Sequence, residues 1–333
     1  MTAATYDVLG IGNAIVDILA KAEDAFLTAQ GMAKGSMALI DEARAAAIYQ
    51  AMGPATEISG GSAANTIAGV ASFGARAAFV GKVRDDQLGN VFSHDIRAAG
   101  VAFGTPVAKS GPATACSYVL VSPDGERTMN TYLGAAQDLS PADIDETQIA
   151  ASSMIYLEGY LWDPKDAKNA FQKAATIAHD NKRSVALTLS DAFCVGRYRD
   201  EFLDLIRSKT VDLVFANEAE LTSLYQTDDF DAALTQLRSE ASLGVVTRSE
   251  KGCVVVAKDK VTAVPACPIK QLVDTTGAGD LFAAGFLFGL VRGVSHEDCG
   301  RLGALAASEV IQHIGARPQV SLKLLAQQAG LPV

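Results

Sequence analysis

The sequence predicts an α/β fold: a doubly wound, mostly parallel sheet with helices on both faces and a small β-sheet projecting from it. Three observations carry this. Short, continuously apolar runs rich in β-branched residues recur along the chain, as strands buried on both faces do. Helical patterns lie between these runs, which is the alternation of a parallel sheet. Residues 32–40 and 101–133 break the alternation and read as extended chain and turns.

In order, residues 6–12 read as a strand ending in a glycine turn. Further strands are expected at 77–81, 153–157, 184–189, 211–216 and 243–247. Helices are expected at 63–73, 87–99, 165–180, 201–209, 218–225 and 231–239, and another begins near Asp280. Residues 114–121 and 127–133 form a credible hairpin around Pro123-Asp124-Gly125. With no internal repeat, low-complexity segment or Pro-rich linker, the 333 residues read as one domain, 1–333. Segments of about 32–41 and 101–134 form the projecting sheet.

Hydrophobic residues make up 49% and charged residues 20%, enough apolar chain for a sizeable core. The net charge of −10, with no long basic run, argues against nucleic acid as a partner. Cys116, Cys194, Cys253, Cys267 and Cys299 are odd in number and form no C-x-x-C pair, so reduced thiols in a cytoplasmic protein are expected. The start, Met1 to Asp7, is polar and has no leader character. The most apolar stretch, 281–291, is too short to span a membrane, so no membrane partner is expected. His94, His179, His296 and His313 are scattered and form no zinc motif.

Asp274-Thr275-Thr276-Gly277-Ala278-Gly279-Asp280 precedes a long apolar run. The small residues 277–279 let backbone N–H groups approach an anion, and a helix N-terminus attracts one. A carboxylate at that mouth makes chemical sense if Asp280 takes a proton from an attacking hydroxyl. The plainer alternative makes Asp280 a first-turn residue and the glycines a turn. Gly60-Gly61-Ser62-Ala63-Ala64-Asn65 opens an Ala-rich helix, with Ser62 able to cap it and Asn65 in its first turn. Gly12-Asn13-Ala14-Ile15-Val16-Asp17 follows the first strand; Asp17 is either a solvated loop residue or an acceptor for a vicinal diol. Asn217-Glu218-Ala219-Glu220 and Thr247-Arg248-Ser249-Glu250-Lys251-Gly252 each follow a strand, where open α/β sheets bind ligands. Gly10-Ile11-Gly12 is a weak dinucleotide string, since Ile15 stands where its third glycine belongs. Residues 104–110 miss a P-loop for want of glycine before Lys109.

Together these strings resemble the ribokinase-like (phosphofructokinase-B) family of sugar and nucleoside kinases, in family order from Gly12 to Pro318. The resemblance implies that family's fold, with the projecting sheet as a lid over the acceptor. It implies transfer of the ATP γ-phosphoryl group to a hydroxyl, with Asp280 as base and the amides of Gly277, Ala278 and Gly279 as an anion hole. Asn13, Asp17, Gly61, Ser62 and Asn65 would bind the acceptor. Asn217, Thr247, Gly252, Gly277 and Gly279 would bind ATP, with Ser249 departing from a family glycine. Glu220 would serve Mg²⁺, through water. Asp274 and Thr276, with Gly315-Ala316-Arg317-Pro318, match a site for K⁺.

The pattern is similar to bacterial adenosine-kinase-like members, so the expected acceptor is the 5'-hydroxyl of adenosine. A sugar (ribose, fructose, fructose phosphate or 2-keto-3-deoxygluconate) is the alternative. Met37, Phe103, Cys116 and Tyr118 would face a base; Arg127, Asn130 or Tyr132 would serve a sugar. A nucleotide-binding regulator without catalysis and a nicotinamide-dependent oxidoreductase are readings of other classes. Monomer and homodimer both remain open.

Overall fold

The computed structural model describes residues 4–333, so Met1 to Ala3 of the polar start lie outside the described residues. The chain begins β1 (Tyr6–Ile11), β2 (Ile15–Lys21), α1 (Asp24–Ala29), β3 (Met37–Leu39), α2 (Glu42–Ala51), β4 (Thr56–Gly60) and α3 (Ser62–Ser72). It continues through β5 (Ala77–Val80), α4 (Gln87–Ala98), β6 (Val101–Phe103), β7 (Ala115–Val121), β8 (Arg127–Tyr132), α5 (Glu146–Ala150) and β9 (Ser152–Glu158). Then come α6 (Lys165–Asp180), β10 (Ser184–Thr188), α7 (Ala192–Arg207), β11 (Leu213–Asn217), α8 (Glu218–Tyr225), α9 (Phe230–Glu240) and β12 (Leu243–Thr247). The last elements are β13 (Cys253–Ala257), β14 (Lys260–Val264), α10 (Ala278–Val291), α11 (His296–Val310) and α12 (Leu322–Gln328).

Nine strands form the main sheet in the order β14-β13-β12-β11-β10-β9-β1-β5-β6. All pairs are parallel except those of the β12-β13-β14 meander, which sequence reading did not anticipate. Both faces of the sheet are covered because its strands are apolar on both. Val8, Phe79, Met154 and Tyr156 point into one core, while Leu9, Ala78, Ile155 and Leu157 point into the other. Strand order reverses between β1 and β9, and the crevice at such a switch point is where an open sheet takes a ligand.

The lid is a second sheet, β3-β8-β7-β2-β4. Two expectations are corrected here. Residues 15–21, left without a strand and outside the expected lid segments, are the lid strand β2, and β4 joins it; residues 101–103, assigned to the lid, are β6 and pair with β5 in the main sheet. Alternation gives the lid two different faces. Ser117, Val119, Asp17 and Leu19 face a cavity, while Cys116, Tyr118, Val16 and Ile18 pack with Ala45 and Ile48 of α2. Helix α7 starts nine residues before the expected 201, capped by Asp191, with a non-helical Tyr198 inside it.

Helix α10 is buried over almost all of its surface because sheet, α3 and α11 surround it. A Cβ on Gly69 of α3 would sit 2.7 Å from Ala284 Cβ and 2.8 Å from Leu281 Cδ1 of α10. No helix among the described residues is long and apolar enough to cross a membrane, and no cysteine there is in a disulfide. Gly69→Val is expected to force α3 off α10 and destabilise the protein by about 1–3 kcal/mol, read as a lowered thermal midpoint. An unchanged midpoint would mean the two helices tolerate a wider spacing.

Candidate active site

A cavity of about 1350 Å³ lies between the lid's inner face and the carboxyl ends of the main-sheet strands. At the switch point Asn13, just past β1, donates through Nδ2 to Glu158 Oε1 at the end of β9 (2.6 Å). Glu158 Oε2 accepts the Ala63 N–H at the start of α3 (2.8 Å). One carboxylate thus ties two strands and a helix together and leaves Asn13 Oδ1 buried and unpaired. Burial pushes the Glu158 carboxyl up to about 7, against the hydrogen bonds that lower it. Sequence reading missed Glu158; its signal is a carboxylate ending an apolar strand.

Gly61 caps α3 with φ +95°, and a Cβ there would lie 2.3 Å from Asn13 O, so only glycine fits. Ser62 was expected to cap this helix. Its hydroxyl instead donates to Asp280 Oδ1 (2.6 Å), and Asn65 Nδ2 donates to Asp280 Oδ2 (3.1 Å). The first turns of α3 and α10 therefore meet at one carboxylate. Burial raises Asp280 to about 6, opposed by these two donors. Asp17, on β2, also lines the cavity and is raised to about 6 by burial, with Arg317 and Arg127 pulling it down and Asp280 pushing it up.

Gly277 begins α10 at φ +79°, against Ala316. The N–H groups of Gly277, Gly279 and Asp280 have no acceptor within the described chain, as the first turn of a helix leaves them. Ala278, expected among the anion-hole amides, gives its N–H to Thr275 O (3.2 Å) because the turn closes there.

Asn217 and Glu220 form a reciprocal capping box on α8: the Glu220 N–H donates to Asn217 Oδ1 (2.8 Å) and the Asn217 N–H to Glu220 Oε2 (3.1 Å). Both residues also line the cavity, so the capping box leaves them at its wall. Burial and the nearby Asp191 raise Glu220 to about 7, and neither carboxylate is in an ion pair with a described residue. No group of three or more His, Cys, Asp or Glu among the described residues is arranged to hold a metal. A cavity-lining carboxylate with no ion-pair partner among the described residues, its oxygens held by Asn217, fits a hydrated Mg²⁺.

Thr247 ends β12 and Gly252 (φ +84°) lies against Val264 and Ala266; both line the cavity. Ser249 adopts φ +50°, the left-handed conformation that a glycine would take freely, so the loop keeps a glycine's path without one. Asp274 accepts the N–H groups of Thr276 (3.1 Å) and Gly315 (3.0 Å) and pairs with Arg127 of the lid, whose Nη1 also donates to Thr276 Oγ1 (2.9 Å). With a guanidinium already there, these residues do not fit a potassium ion in this lid position.

The lid residues sort differently from expectation. Met37 and Arg127 face the cavity, joined by Leu19, Leu39, Val119 and Met129. Cys116 and Tyr118 are on the opposite lid face, and Phe103 is in the main core against Phe79 and Phe92. Asn130 contacts Met32 Sδ, and the Tyr132 hydroxyl donates to Glu42. Tyr160, another residue sequence reading missed, follows β9 and presents a ring to the cavity, its hydroxyl donating to Ser190 O (3.2 Å).

Comparison with known proteins agrees with this geometry. Residues 45–322 match the pfkB family of carbohydrate kinases. An adenosine kinase from Sinorhizobium meliloti is 57% identical, with a TM-score of 0.92 over 98% of this chain and 100% of that one. A probable sugar kinase from Rhizobium etli is 53% identical, with a TM-score of 0.93 over 99% and 100% of the two chains. Adenosine kinase 2 of Arabidopsis thaliana is 27% identical, covering 94% of this chain and 96% of its own length. The chain belongs to the pfkB family, whose kinases are phosphotransferases acting on alcohol groups.

Proposed function

We propose that this protein transfers the γ-phosphoryl group of ATP to the 5'-hydroxyl of adenosine. The observation that carries the acceptor is the lid's inner face: Leu19, Leu39, Val119 and Met129 form an apolar surface, with the Tyr160 ring on the same cavity and Asp17 among them. Apolar and aromatic surfaces suit a purine, and a carboxylate suits the paired hydroxyls of a ribose. The identity to the Sinorhizobium meliloti adenosine kinase supports the same acceptor. A sugar acceptor is the second reading, favoured by the similar Rhizobium etli protein.

Asp280 would accept the proton of the attacking hydroxyl, held on one side by Ser62 and Asn65. The free amides of Gly277, Gly279 and Asp280 would meet the charge on the transferring group. Glu220 would hold a hydrated Mg²⁺, which would supply positive charge to neutralise the ATP phosphates. Asn217, Thr247 and Gly252 would position the nucleotide. Closure of the lid over the acceptor would exclude water, which otherwise competes as the acceptor.

Three outcomes follow. Asp280→Asn is expected to lower turnover by about 10²–10⁴-fold with substrate binding largely kept; near-normal turnover would remove Asp280 as the base. Both Asp280 and Asp17 must be ionised, and both are raised to about 6. The kcat/KM for the acceptor should therefore fall as pH drops through about 6, more steeply than one proton allows, and a profile flat down to pH 5 would contradict this. ADP release with Mg-ATP should be strong and selective with adenosine, against inosine, ribose, fructose, fructose phosphate and 2-keto-3-deoxygluconate. Turnover with a sugar alone would keep the mechanism and replace the acceptor.

A further inference from the structure

Arg317 lies behind the acceptor site, in the loop between α11 and α12, and does not line the cavity. Its Nε donates to Asn65 Oδ1 (3.3 Å). Asn65 in turn donates through Nδ2 to Asp280 Oδ2. A guanidinium has donors and no acceptor, so it can face only the oxygen of the Asn65 amide. That leaves the NH₂ group to face Asp280. We propose that Arg317 is a positioning residue: it locks the Asn65 amide in the orientation that donates to Asp280, and so holds Asp280 ionised for proton transfer. The inference rests on the reading of Asp280 as the base, and not on which acceptor is used.

The need for such a lock follows from what surrounds Asp280. Its own hydrogen-bond partners are Ser62 and Asn65, both neutral. The charged and titratable groups that feel it are Asp17, Glu158, Tyr156 and Tyr160, all acidic. Burial is what favours the protonated acid at Asp280, and no cation among the described residues pairs with it directly. A protonated Asp280 can donate to an amide oxygen, so a freely turning Asn65 could stabilise either form. Arg317 removes the second choice. Its positive charge also acts on Asp17 and Asp95, and its Nη2 is buried with no hydrogen-bond partner. Burial depresses the guanidinium to about 10, which still leaves it charged across the working range. Lys at this position would keep a donor-only cation; Gln would offer either end of an amide and free the lock.

The test is the pH dependence of kcat at saturating ATP and acceptor, where acceptor binding through Asp17 does not enter. Arg317→Gln should move the acid limb upward by about half to one pH unit, a three- to ten-fold loss at the foot of the profile, with KM for ATP unchanged. Arg317→Lys should return the limb towards wild type. In the Asn65→Leu background, Arg317→Gln should add no further shift, because its route to Asp280 is gone. If the Gln variant is not recovered folded, Arg317→Met is measured in its place with the same shift expected. An unmoved limb, or a shift that persists in full without Asn65, overturns the proposal. If Asp280→Asn abolishes turnover while the Arg317 limb stays put, only the role of Arg317 fails; near-normal turnover of Asp280→Asn overturns both readings.

Discussion

Two helix N-termini, more than 200 residues apart in sequence, share one carboxylate, and the arrangement of the site depends on that contact. Ser62 and Asn65 of α3 both donate to Asp280 of α10. The contact forms only if the helices approach closely, which Gly69 against Ala284 and Leu281 allows. It also consumes the polar groups that would otherwise leave a buried acid unsatisfied. The same junction leaves neighbouring N–H groups of α10 free at the cavity, so a hydrogen-bond acceptor and an anion site lie within one helical turn.

The cavity gathers four carboxyls that burial shifts upward. Asp17, Glu158, Glu220 and Asp280 all have raised pKa values, and burial is the largest cause in each. Three carboxylates elsewhere shift the other way: Asp7 beside Arg76, Asp124 beside Lys34 and Glu218 beside Arg248 are lowered. Clustering of upward-shifted acids in one cavity is the mark of a functional site. Positive side chains come from the lid (Arg127, paired with Asp274), from α7 (Arg197, paired with Asp163) and from behind the site (Arg317).

The lid owes its character to strand alternation. One face packs with α2 in the main core, and the other presents apolar side chains to the cavity. Asp17 and Arg127 are the charged residues on the inner face, and the pairing of Arg127 with Asp274 ties the lid to the loop before α10. Strand β8 of the lid and the loop before α10 are therefore joined through one side chain, Arg127, which pairs with Asp274 and donates to Thr276.

Local chemistry made much of this protein legible from its sequence. Apolar β-branched runs marked the parallel strands, because burial on both faces leaves no other composition. The Asp274 to Asp280 string, Gly60 to Asn65 and Asn217 to Glu220 marked the ligand loops, because glycine and capping residues have specific local uses. What only the tertiary structure decided is which faces and partners these residues take. Cys116 and Ser117 differ by one position, yet a two-residue strand period sends them to opposite sides of the lid. Residues 101–103 look like a lid strand until their pairing with β5 is known. Asn13, Glu158, Asn65 and Arg317 acquire their roles from neighbours 95 to 252 positions away in the chain. Periodicity and motif are local properties of the chain, whereas hydrogen-bond partnership across such separations exists only once the helices and strands have packed.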